Sequence, residues 1–157
     1  MEQIYPFLKD KSLKAIVDID FVPYGNAQII TKDPPTFECQ HGEEECYANM
    51  IELCALAEDR IKAWDFIYCE EKRVDFSEEG VSQCAETSYM DPVPIWDCVR
   101  DGRGAQLHYE AALKTPDHSY VPWLVVEGEH VDLNKTTFKK VVCDAYKGEK
   151  PAACNKE

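Results

Sequence analysis

Cys39-Gln40-His41-Gly42-Glu43-Glu44-Glu45-Cys46-Tyr47-Ala48-Asn49-Met50-Ile51-Glu52-Leu53-Cys54 places three cysteines within sixteen residues. Gly42 breaks the chain after His41, and three glutamates follow it. Acidic side chains in a first turn favour the positive end of a helix dipole. From Cys46 onward, Met50, Cys54, Ala57, Ile61, Trp64 and Tyr68 recur at steps of three and four. The stretch therefore predicts one long helix from Glu43 to about Glu71 with a single apolar face. Cys46 and Cys54 lie on that face, suited to pin the helix elsewhere through disulfides. Zinc is the competing chemistry, with Cys39, His41, Cys46 and Cys54 as ligands. Their spacing is wrong for paired knuckles, which separate two ligands by about two to four residues. No metal is expected.

Outward from this stretch, 157 residues suit one domain with a sizeable core. The formal charge is -13, from 17 basic and 30 acidic residues. Such a surface repels phosphate backbones and anionic membranes, so nucleic acid is not an expected partner, and a basic protein patch is. No run of about 18 apolar residues exists to span a membrane. Eight cysteines indicate an oxidising compartment and up to four disulfides of open connectivity. The segment after Met1 has no basic region, apolar stretch or small-residue cleavage site of a secretory leader, and reads as a mature chain with an added Met. Asn134-Lys135-Thr136 is a sequon, making Asn134 the candidate glycosylation site. Gly102-x-Gly104 lacks the rest of a phosphate-binding fingerprint, and no cofactor is expected.

In chain order, residues 2 to 14 read as helix disturbed at Pro6. Val17, Ile19 and Phe21 alternate with Asp18 and Asp20, predicting a half-buried strand over 16–22. A loop follows over 26–42, centred on Asp33-Pro34-Pro35, with a short strand from Ala27 to Thr31. After the long helix, Ser77 is an expected N-cap for a helix carrying Cys84. Pro92 and Pro94 precede a helix with Trp96 and Cys98, Asp101-Gly102-Arg103-Gly104 is a turn, and 105–114 is helical. A strand is expected over Val121–Val126, a turn at Glu127-Gly128, a return strand from His130, and a last helix from Lys135 to Tyr146. Cys143 and Cys154 are placed to tie the tail to that helix.

Cys39-Gln40-His41-Gly42 with Glu45-Cys46, Asn49 and Cys54 resembles the signature of the gamma-interferon-inducible lysosomal thiol reductase family. Val22-Pro23-Tyr24-Gly25-Asn26-Ala27-Gln28, Asp101-Gly102-Arg103-Gly104, Tyr120-Val121-Pro122-Trp123 and the Cys143 to Cys154 tail also resemble family segments. The resemblance implies an α/β, thioredoxin-like domain over 1–157, lacking its first strand and carrying a helical, cysteine-rich insertion at about 36–104. It implies that Pro122 is the cis-proline facing a redox site. It also implies that Cys39, Cys46, Cys54, Cys69, Cys84, Cys98, Cys143 and Cys154 match non-catalytic, disulfide-forming positions. The family's Cys-x-x-Cys stands before the segment resembling Glu2-Gln3-Ile4-Tyr5-Pro6, and these 157 residues contain none.

A dithiol reductase needs a thiolate of lowered pKa and a resolving thiol beside it. None of the eight cysteines has that setting. His41, His108, His118 and His130 show no nucleophile arrangement, and His41 is expected to hold its own loop. The expected protein is a secreted or endolysosomal relative without reductase activity and without catalytic residues, acting by binding another protein. The alternative is a fragment of an active thiol reductase whose Cys-x-x-Cys lies upstream of residue 1. The missing central strand further predicts either that 16–22 pairs with 121–126, or that two copies associate through the unpaired sheet edge.

Overall fold

A computed structural model describes residues 1–155 as two compact units, Phe21–Asp117 and a second formed by Met1–Asp20 with the chain from His118. Helix predominates, and the described residues form two separate two-stranded sheets. The cysteines pair as Cys39–Cys46, Cys54–Cys98, Cys69–Cys84 and Cys143–Cys154, with no free thiol.

In the unit containing both ends of the described chain, α1 (Ile4–Lys9) takes Pro6 in its first turn, where the missing N–H has no helical partner to lose. Asp10 ends α1 and caps α2 (Lys11–Lys14), its Oδ1 accepting from Ser12 N and Leu13 N at 2.9 and 3.2 Å. Phe7, Leu13, Phe138, Val142 and Cys143 form the core, with Ile16, Val17 and Ile19 packed on it. The Phe7 and Phe138 rings meet edge to face at 5.0 Å. The strand expected over 16–22 is not formed: those residues belong to neither sheet. Their alternation in burial survives, because packing on a core imposes it without a strand ladder. Pairing of 16–22 with 121–126 is likewise absent.

Strand β3 starts at Leu124 rather than Val121, since Pro122 has no N–H to give a ladder. It pairs with β4 (Glu129–Val131) through Leu124–Val131, Val125–His130 and Val126–Glu129. Glu127 and Gly128 between them both have positive φ, 49° and 86°, the conformation of a type I′ turn. The last helix, α8 (Phe138–Ala145), begins three residues later than expected. Asp132 organises a turn there, accepting from Asn134 N at 3.0 Å, and Thr137 caps the helix on Lys140 N. Cys143–Cys154 ties α8 to the 3₁₀ turn Ala152–Asn155.

The other unit begins with a hairpin. Strand β1 (Gln28–Lys32) pairs antiparallel with β2 (Pro35–Glu38), where only loop was expected beyond Thr31. The prolines sit at the turn and at the strand's first residue, positions where a missing N–H is tolerated. The long helix expected from Glu43 to Glu71 is two helices, α3 (Glu43–Glu58) and α4 (Ala63–Arg73). Asp59 adopts extended backbone, and its carboxylate accepts from Ile61 N and Lys62 N at 3.0 and 3.1 Å. Those two bonds replace helical ones, and Ile61 points to solvent rather than along the apolar face. α5 (Glu78–Thr87) is capped by Ser77, α6 (Pro92–Arg100) by Asp91, and α7 (Arg103–Lys114) follows Gly102. Ile51, Phe66, Ile67, Val81 and Ile95 are fully buried among these helices. Each contributes about 1.5–3 kcal/mol of apolar transfer.

Candidate functional site

Within Phe21–Asp117 the signature stretch closes on itself. Gly42, at φ 96°, turns the chain between the Cys39 loop and α3, a conformation that disfavours side chains with a Cβ. The turn brings the His41 N–H to Glu45 Oε2 at 2.7 Å, with His41 Nδ1 3.0 Å from the same oxygen. Cys39–Cys46 fixes the loop covalently beside this carboxylate. Gln40 Oε1 accepts from Asn26 Nδ2 at 2.7 Å, tying the loop to the segment before β1. Glu45 thus caps the helix entry and is not free for partner contacts, unlike exposed Glu43 and Glu44.

Asn49 and Cys54 lie one and two turns on. Asn49 Nδ2 donates to Tyr24 O at 3.4 Å and to His108 Nε2 at 3.3 Å. That leaves the His108 proton on Nδ1, which has no hydrogen-bond partner in the structure. His108 is fully buried against the rings of Phe37 and Tyr24, at 4.1 and 5.2 Å. Burial pushes its pKa down to about 4, against a smaller upward pull from Glu45. The imidazole is therefore a neutral packing group at neutral pH. Cys54 bonds Cys98, and Gly104 lets α7 approach that bridge: a Cβ there would stand 3.3 Å from Cys54 Sγ. The signature is thus a latch that joins the loop, the hairpin, α3 and α7.

Sequence reasoning gave Asn49 and His108 no role. The signal lay in α7, where Gly104, His108 and Ala111 share one buried helical face. The zinc set does not assemble, because Cys39, Cys46 and Cys54 are all disulfide-bonded and supply no thiolate. No group of three metal-ligating side chains occurs among the described residues.

In the other unit, the Val121–Pro122 peptide is cis. Beside it, Trp123 and His130 stack with centroids 3.6 Å apart and planes at 15°. Tyr120 Oη lies 2.8 Å from His130 Nε2, and the Tyr120 ring meets Trp123 edge to face at 5.2 Å. Tyr120 and Val121 are exposed, so this cluster presents apolar and aromatic surface to solvent. Asn134 is exposed in the turn before α8.

Residues 1–88 match the family described as Gamma interferon inducible lysosomal thiol reductase (GILT). A Carassius auratus gamma-interferon-inducible lysosomal thiol reductase is 43% identical, across 90% of this chain and 61% of its own length. An Arabidopsis thaliana gamma-interferon-responsive lysosomal thiol protein is 35% identical, across 93% and 64%. The Mus musculus thiol reductase of the same name as the first is 36% identical, across 89% and 59%. The chain thus spans about three fifths of the length of these curated relatives.

Proposed function

The chain belongs to the gamma-interferon-inducible lysosomal thiol reductase family, and on that premise we propose that these 157 residues form its disulfide-stapled binding part, without dithiol chemistry of their own. The observation that carries this reading is that all eight cysteines are paired. A thiolate nucleophile and its resolving partner are both missing from the set.

What remains is surface suited to protein. Phe21–Asp117 holds 20 acidic and 8 basic residues, so it carries -12 of the chain's -13. A basic patch on another protein is the complementary partner. The aromatic cluster beside Pro122 offers a second, apolar contact. The family premise also supports reading β3, β4 and α8 as the end of a thioredoxin-like scaffold, with Pro122 ahead of its strand. An endolysosomal location follows from the names of the relatives, and glycosylation at exposed Asn134 accords with it.

Two measurements test the proposal. The unfolded, non-reduced polypeptide should take up no alkylating reagent. Given a dithiol donor at acidic pH, the folded polypeptide should reduce a disulfide substrate no faster than the donor alone. Turnover abolished by one Cys→Ser change would sink this reading in favour of an enzyme. For the binding surface, Glu43→Lys with Glu44→Lys should weaken capture of a lysine-rich peptide and flatten its salt dependence. Equal affinity after both changes would move the contact off α3.

A further inference from the structure

Phe21–Asp117 is stapled unevenly. Cys54–Cys98 joins α3 to α6, and Cys69–Cys84 joins α4 to α5. The α3–α4 and α5–α6 seams are packed but carry no disulfide. The α4–α5 hairpin is therefore a covalently closed flap. Its covalent attachments to the body of α3, α6 and α7 are the links 59–62 and 88–91, and the Arg100–Glu78 ion pair joins α6 to α5 beside them.

Each helix of the unstapled α3–α4 seam carries a buried acid. Glu70 of α4 is fully buried, and neither carboxylate oxygen has a hydrogen-bond partner in the structure. Glu52 of α3 is buried as well, and the charge of Glu70 acts on it. An ionised carboxylate without donors is strongly disfavoured in an apolar interior, and a second one beside it more so. We propose that the α4–α5 hairpin is an acid-closed flap, seated against α3 with Glu70 and Glu52 as neutral acids and lifted as they ionise.

The charges around the seam support this direction. Burial, and then Asp75 in the α4–α5 link, raise Glu70 to about 7 against the opposing pull of Arg73 on α4. Burial first, and within the unit the charges of Glu71 and Glu70, raise Glu52 to about 8. Both acids hold their protons more tightly closed than open. Opening therefore becomes easier as the pH rises from the ordinary carboxyl value of 4.5, and levels off once both acids have ionised in the closed form, Glu70 near 7 and Glu52 near 8. Lifting uncovers Phe66, Ile67 and Val81, so the flap converts pH into exposed apolar surface.

Amide hydrogen exchange on the full chain with intact disulfides tests this. After correction for intrinsic exchange, the opening constant of residues 63–87 should rise at least about tenfold between about pH 5 and about pH 8. Amides of α7 should show no such rise, because neutral buried His108 makes that region more secure as the pH rises from 4 to 6.5. Glu70→Gln removes one of the two ionising acids and should reduce the dependence of 63–87, leaving the part carried by Glu52. An unchanged 63–87, an equal rise across α3, α6 and α7, or an undiminished rise in the Gln variant would each overturn the proposal. If Glu70→Gln fails to fold, Glu52→Gln decides in its place: a reduced rise supports the flap, and an unreduced one overturns it.

Discussion

His108 answers pH with the opposite sign to Glu70. Its folded value of about 4 lies below the ordinary 6.5, so the unfolded chain takes up the proton first as the pH falls. Its contribution is whole above 6.5 and is lost between 6.5 and 4. His108→Phe should cost about 1–2 kcal/mol at neutral pH, through the lost bond from Asn49. The gap to the parent in urea titrations should then close by about pH 4.5, because the variant has no proton to take up. A gap that stays constant would mean His108 is not buried neutral. Some of this was legible in the sequence: His41 and Glu45 are one helical turn apart, a spacing that invites pairing. What was not legible is the target of Asn49, since His108 is 59 residues away and no local pattern joins them.

At the scale of elements, the staples should differ in worth. Cys54–Cys98 closes a separation of 44 residues and Cys39–Cys46 one of 7. The constraint on the unfolded chain grows with the loop, giving roughly 4 kcal/mol for the longer and roughly 2 kcal/mol for the shorter. The double change Cys54→Ala with Cys98→Ala should therefore lower the melting temperature more than Cys39→Ala with Cys46→Ala. The reverse order would show that the latch, not chain entropy, governs the unit. The start of α5 was readable because Ser77 acts locally, whereas Pro92 and Pro94, expected to precede α6, form its first turn behind the Asp91 cap. The break at Asp59 was hidden by an apolar periodicity that continues across it, and only the side-chain bonds to Ile61 and Lys62 reveal the interruption. Alternation over 16–22 signalled burial correctly but not pairing, which depends on a partner strand the pattern does not encode.

At the scale of the molecule, disulfides respect the division into units. Three lie inside Phe21–Asp117, one lies in the other unit, and none crosses. The larger unit also carries nearly all the net charge. A polypeptide of Phe21–Asp117 alone should therefore oxidise to three native disulfides and give a cooperative melt. It should gain stability with added salt as the self-repulsion of its acidic excess is screened. Scrambled disulfides in the isolated piece would show that the remaining residues are required for its folding. The sequence set apart a cysteine-rich block at about 36–104 but not the bounds of the unit, because the hairpin and α7 flank that block without cysteine pairs of their own.

The nesting of Cys69–Cys84 inside Cys54–Cys98 has a consequence in time. As the chain emerges from synthesis into an oxidising environment, Cys69 and Cys84 can bond as soon as both are out. Cys54 must wait as a thiol while both of them pass, exposed to capture by either. Early formation of the α4–α5 hairpin removes those two competitors before Cys98 arrives. The order in which the helices mature, rather than any difference among the sulfurs, then selects the native partner of Cys54.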